Sequence, residues 1–314
     1  VPEARSKFLL KKTKSWRSSG RVNLEELYCC VDDFCQKFIP LWHQQLIENG
    51  LRKRHREASL SLSEVMMILI LFHMSHYRDF KTFYIKHVKQ YLTADFPKLV
   101  SYTRILTLKK RALIPLCAFL SSRKAKTQGI AFIDSTKIAV CHNLRIPRHR
   151  VFEGVAQRGK TSTGWFYGFK LHLVINDCGE LLAVKLTAGN KDDRHPVKAL
   201  AKGLTGCLYG IKGYLSQALC DELEAEGVTL ITHVRSNMKA KALSLWDRLM
   251  LRRRFLIETV IDQLKNISQI EHSRHRSQLG FLLEIAAGLI AYTFQPKKPS
   301  LNLRDNDIAI LKRS

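Results

Sequence analysis

From Gln128 onward the sequence stops reading as helix and starts to alternate, and this change restricts the possible folds more than any other feature. The run GIAFIDSTKIAV (129–140) is apolar on both sides of a single aspartate. WFYGFKLHLVIN (165–176) and LLAVKLTAG (181–189) follow. Between them lies Asp177-Cys178-Gly179-Glu180, a turn that predicts an antiparallel hairpin. DRHPVKALAKGL (193–204) reads as a short helix and CLYGI (207–211) as a fourth strand. SQALCDELEAEG (216–227) reads as a helix stopped by Gly227, and TLITHVRS (229–236) as a fifth strand. Three strands, the last two antiparallel, then helix, strand, helix, strand and helix predict an α/β domain: a mixed five-stranded sheet with flanking helices.

The closing helix is expected over 249–266, LMLRRRFLIETVIDQLKN, which lacks Gly and Pro. With Glu258 at zero and about 100° per residue, Arg254 falls near −40°, Lys265 near −20° and Asp262 near +40°. Met250, Leu256, Ile257, Val260, Ile261 and Leu264 make an apolar arc opposite, which Phe255 and Arg253 interrupt. Two readings fit: a solvated helix with ordinary i,i+4 pairs, or a carboxylate flanked by cations and presented to a phosphate backbone.

Before the alternation the chain is helical. Residues 1–22 form a basic lead with no periodicity, expected to be disordered. Residues 23–125 predict an all-helical region: Leu24, Leu27, Val31, Phe34, Phe38 and Leu41 recur at helical spacing. Ser61 or Ser63 can cap the next helix, with Glu64 in its first turn. Pro115 is expected to bend a helix running over 99–123. The α/β domain is placed at 126–303 and a basic tail at 304–314.

Charge narrows the function. Lys and Arg number 52 against 27 Asp and Glu, a net +25, with pI near 9.9. Such a chain attracts a polyanion, and nucleic acid is the default. The cations are spread along the sequence, unlike the single cluster of a membrane-surface protein. Val65–Phe72 and 279–294 are apolar but too short or too interrupted to span a bilayer, and both read as buried helices. The eight cysteines form no CxxC pair and no zinc-finger spacing. They read mostly as small core residues, and with no export signal they point to a reducing cytoplasm.

Asp134 is the chemical anomaly. A carboxylate inside an apolar strand must bind metal, meet a cation or cap a turn, and Ser135 and Thr136 keep the turn reading open. Acids brought together on such a sheet make a two-metal site, so Glu258 on the closing helix is its natural companion.

The chain resembles the DDE transposases of bacterial insertion sequences. Their C-terminal signature of Tyr, two residues, Arg, three residues, Glu, six residues, Lys is matched by Arg254, Glu258 and Lys265, with Leu251 at the Tyr position. Their first acid stands in a strand reading FIDST, matched by Asp134. A T-x-G-N-x-x-D segment is matched by Thr187, Gly189, Asn190 and Asp193. The resemblance covers about 23–303 and implies several things. The fold is a ribonuclease-H-like sheet behind a helical DNA-binding region. The cofactor is Mg²⁺, with Mn²⁺ as a substitute. The partners are the double-stranded DNA of terminal inverted repeats and target, held by a homodimer and located with the bacterial nucleoid. The reaction is strand cleavage followed by strand transfer.

One departure matters. The family's second acid stands two residues before a Gly-Tyr pair; here that position is Ile211, which cannot ligate a metal. Either the copy is inactive, and acts as a non-catalytic binder of inverted repeats, or Asp193 or Asp192 substitutes. Asp221 is a more remote substitute. Asp134, Glu258 and Asp193 are thus the candidate catalytic and metal-binding residues. Arg254, Lys265, Arg148, Arg150, Lys160, Arg274 and Arg276 are the candidate DNA contacts. His272 and His275 have a metal-pair spacing in a stretch better suited to phosphate, and His172 reads as packed or DNA-facing.

Overall fold

The computed structural model describes residues 24–51, 58–162, 164–233, 243–271 and 275–301. The expected disordered lead, most of the basic connector at 51–57 and the tail at 304–314 lie outside the described residues.

The chain divides into two compact units. The first comprises Val1–Ser122, Ile267–Ile270 and Leu279–Lys297, and the second comprises Arg123–Asn266, Glu271–Gln278 and Lys298–Ser314. In the first, α1 (Leu24–Glu48) and α2 (Leu62–Met74) pack together. Ser61 caps α2: its hydroxyl accepts the Glu64 amide while the Glu64 carboxylate accepts the Ser61 amide, a reciprocal box. The helix expected over 99–123 is divided into α3 (Tyr102–Leu108), a 3₁₀ turn (Lys109–Ala112) and α4 (Leu113–Ser122). Pro115 lies in the first turn of α4, where no intrahelical partner is owed to its missing N–H, so it starts a helix instead of bending one.

The second unit holds the sheet. Its strands are β1 (Ile130–Cys141), β2 (Gln157–Thr161), β3 (Gly164–Asn176), β4 (Leu181–Ala188), β5 (Gly206–Gly210) and β6 (Val228–Thr232). β3 pairs antiparallel with β1 on one side and with β4 and β2 on the other; β1 pairs parallel with β5, and β5 with β6. All five expected strands are present, in the order β4-β3-β1-β5-β6. β3 is the most apolar run and is buried from Phe166 to Asn176, as a strand covered on both faces must be.

β2 is a sixth strand, inside the segment expected to be only a basic loop. Its exposed Arg158 and Lys160 alternate with buried Gly159. A side chain at Gly159 would collide with the Gly189 carbonyl, so glycine lets β2 dock against the end of β4. Under α5 (Val197–Ala201) and α6 (Gln217–Ala225) the sheet buries Ile133, Val174, Leu200, Leu208 and Leu223.

The closing helix is two helices, α7 (Leu245–Arg253) and α8 (Phe255–Asn266), with Arg254 at the break. Met250, Leu256, Ile257, Val260 and Leu264 are buried as the periodicity requires. Phe255, which did not fit one continuous arc, starts α8 and is 51% exposed. α9 (Gln278–Thr293) follows, and its Leu283, Ala287 and Ile290 join the core of the helical unit. Among the described residues no helix is long and apolar enough to cross a membrane. The eight cysteines are all unpaired thiols, and of them only Cys35 and Cys141 are buried, so the expectation that most pack in the core does not hold.

Candidate active site

Asp134 sits in the middle of β1, its side chain 13% exposed. Arg254 reaches it across the sheet face: Nη1 donates to Asp134 Oδ2 at 2.9 Å and Nη2 donates to Glu258 Oε1 at 2.6 Å. One guanidinium, at the break between α7 and α8, thus bridges two acids from different elements. The Ser135 amide donates to Asp134 Oδ1 at 2.8 Å. Of the three partners open to a buried carboxylate, Asp134 therefore has two at once, a cation and a local amide. Burial pushes its carboxyl above the usual range, while the Ser135 amide and Arg254 oppose that shift and Glu258 adds to it.

Asp193 approaches Ser135, the next residue on β1. Its Oδ1 accepts from Ser135 Oγ at 2.9 Å and from Lys170 Nζ at 3.0 Å. Lys170 also donates to the Lys191 carbonyl at 2.9 Å. Asp192 faces elsewhere: Arg194 holds both of its oxygens, and the hydrogen bonds from Arg194 lower its carboxyl to about 2. Asp221 is exposed on α6, accepting from Gln217 at 2.7 Å.

The register of β1 against β5 locates Ile211. The parallel ladder ends at Phe132 and Tyr209, and two residues further along stand Asp134 on one strand and Ile211 on the other. Ile211 is partly buried against the apolar core and opens the 3₁₀ turn Lys212–Tyr214. Behind it the Tyr214 hydroxyl is buried without a well-formed hydrogen bond. Burial, then the charges of Asp134 and Asp193, push its ionisation far above the ordinary range, so it stays protonated.

Among the described residues no three His, Cys, Asp or Glu side chains form a group able to hold a metal ion. The donor chemistry agrees. Ile211, two residues past the β1–β5 ladder, offers no donor, and guanidinium and ammonium groups pair with Asp134, Glu258 and Asp193. These residues do not fit a pair of divalent ions.

Lys265 is engaged within the unit, donating to the Lys137 carbonyl at 3.0 Å and pairing with Glu271 at 2.7 Å. Glu271 in turn accepts the Ala139 amide at 3.3 Å, so the pair pins the end of α8 to β1. Arg148, Arg150, Lys160 and Arg276 are exposed, and Arg150 lies 3.8 Å from Glu153. Arg274 and His272 lie outside the described residues. His275 is buried, its ring edge-on to Phe152 at 6.2 Å.

His172 is fully buried, with Nε2 2.8 Å from Thr187 Oγ1. Burial lowers it to about 4, helped by Lys170, Lys185 and His195 and opposed by Asp193. It is a packed, neutral imidazole. Sequence reasoning missed Lys170 and Glu271. Lys170 carried a usable signal, being a cation inside an apolar strand, the same anomaly that singled out Asp134.

Residues 124–278 match a family model described as a transposase DDE domain. Among solved structures, the chain is similar to a cryo-EM structure of a piggyBac transposase synaptic complex with hairpin DNA. The TM-score is 0.50 and the identity 11%, over 95% of this chain and 80% of that one. At that identity the likeness is one of fold, and with the strand order it makes the sheet ribonuclease-H-like. No curated protein sequence matches the chain.

Proposed function

We propose that this chain, whose residues 124–278 match a family model described as a transposase DDE domain, is a DNA-binding transposase copy whose strand-cleaving centre is incomplete. One observation supports the proposal: two residues past the last β1–β5 pair, Phe132 with Tyr209, stand Asp134 and Ile211, and a hydrocarbon side chain at that level supplies no further carboxylate. Asp134 and Glu258 remain as two acids of the centre, and Arg254 holds them together. Insertion-sequence origin, terminal inverted repeats as the DNA bound, and a dimer pairing two ends belong to the same reading. The net charge of +25 supports a polyanionic partner.

A second reading has its own support. Asp193 Oδ1 lies within hydrogen-bonding distance of Ser135, one residue from Asp134, and could enter the donor set if Lys170 released it.

The test measures binding and cleavage together on duplex DNA carrying the element's ends. The unmodified chain is expected to bind with a steep inverse dependence on salt and to cut negligibly with Mg²⁺ or Mn²⁺. Ile211→Asp is expected to gain cleavage. Binding that ignores salt overturns the nucleic-acid reading. Efficient cleavage by the unmodified chain, abolished by Asp193→Ala, overturns the incomplete centre and installs the second reading.

A further inference from the structure

Trp165 opens β3 opposite Lys160 of β2, and its side chain is left in solvent, the residue being 60% exposed. The hairpin holding it is well fixed. β2 docks on the end of β4 through Gly159 and Gly189, and Asn143 Nδ2 donates to the Trp165 carbonyl at 2.9 Å. Beside Asn143, Leu144 is 85% exposed. A rigid hairpin presenting an indole and a leucine to water is unusual unless something covers them.

The surroundings say what would. Lys160 Nζ lies 5.9 Å from the indole centroid. Between residues 142 and 165 there are five cations, Arg145, Arg148, Arg150, Arg158 and Lys160, against one acid, Glu153. All five are exposed, and Glu153 lies against Arg150. An aromatic platform in a cationic collar is the arrangement that stacks a nucleobase while neutralising the phosphates on either side. An apolar protein groove would leave those cations desolvated and unpaired.

Placement along the sheet agrees. By alternation Trp165, Tyr167, Phe169, Leu171 and Leu173 share one face of β3, and Leu173 is the residue paired with Asp134. Trp165 therefore points to the same side of β3 as the residue opposite Asp134, about 26 Å along the strand at 3.3 Å per residue, which is less than one turn of duplex, about 34 Å.

From this geometry we infer that the β2–β3 hairpin is a binding site for an unpaired base in DNA, with Trp165 stacking on the base and Lys160 and Arg158 contacting its flanking phosphates. The inference rests on the DNA-binding reading above and adds a preference for locally unpaired DNA, separate from cleavage.

The experiment compares a duplex with a central run of mismatched thymines to the same duplex fully paired, using the full chain, Trp165→Ala and Trp165→Phe. The unmodified chain is expected to prefer the mismatched duplex by about tenfold, the size of one stacked base. Trp165→Ala is expected to lose that preference while binding paired duplex within about twofold of the unmodified chain. Trp165→Phe, which keeps a stacking ring, retains most of it. No preference in the unmodified chain, or a preference that survives Trp165→Ala, overturns the stacking site. So does self-association that Trp165→Ala abolishes without touching the preference. If neither duplex binds, the DNA-binding reading itself has failed, a result distinct from loss of preference alone.

Discussion

β1 and β5 are parallel neighbours, yet where β5 ends and β1 runs on they carry opposite chemistry at the same level. On β1, Asp134 is a nearly buried carboxylate held by Arg254 and the Ser135 amide. On the segment leaving β5, Ile211 packs against the core and opens a 3₁₀ turn. A buried carboxylate costs stability unless a cation or amides compensate it, whereas an isoleucine costs nothing there and fills space. Asp134 is thus held by a network of charged partners, whereas the segment leaving β5 packs as core. The difference teaches that each acid on this side has a cation for a partner: Arg254 serves Asp134 and Glu258, and Lys170 serves Asp193.

Removing the cation beside Asp134 tests that network most severely. Arg254→Ala leaves Asp134 buried with an uncompensated charge and should cost about 4 kcal/mol at neutral pH, read by urea unfolding. Asp134→Asn in the same background should recover much of the loss. A loss below about 1 kcal/mol means that the bridge contributes like a surface pair and that the two strands differ less than described.

Protonation probes the same region from β3, where His172 pairs with Ser135. Its folded value near 4 lies below the ordinary 6.5. Between those values the unfolded chain binds the proton and the folded chain does not, so stability is full above pH 6.5 and falls as pH drops toward 4. The fall should be on the order of 3 kcal/mol and should disappear in His172→Gln, as measured by unfolding across that range. An unchanged pH slope in the variant assigns the titration to another group.

Asp193→Asn is a smaller perturbation. Lys170 keeps the Lys191 carbonyl but loses its carboxylate, at a cost of about 2 kcal/mol. If Asp193 serves only Lys170 and Ser135, the variant's stability should not depend on added Mg²⁺. Destabilisation seen only with Mg²⁺ present would make Asp193 a ligand.

The strand order was legible because β1, β3 and β4 alternate or run apolar over their length, and hydrophobic period is a strong signal. Asp134 was legible as a charge where none belongs. The split of α7 from α8 was not: Leu249 to Asn266 contains no Gly or Pro, and the residue at the break, Arg254, bonds Asp134, 120 positions away. β2 was hidden because a strand of Gln157-Arg158-Gly159-Lys160-Thr161 has no apolar face, and its pairing depends on two glycines meeting across the sheet. Lys265 shows the same limit. Its spacing on the helix gives no sign of Glu271 or of the Lys137 carbonyl, the partners it meets in the fold.

The incomplete centre is tested most directly by titrating Mn²⁺ into the unmodified chain and into Ile211→Asp, following the bound ion by electron paramagnetic resonance. The expected result is no saturable binding to the unmodified chain and saturable binding to Ile211→Asp that is lost again on adding Asp134→Asn. Saturable binding to the unmodified chain, removed by Asp193→Ala, would contradict it and show that the loop acid completes the site.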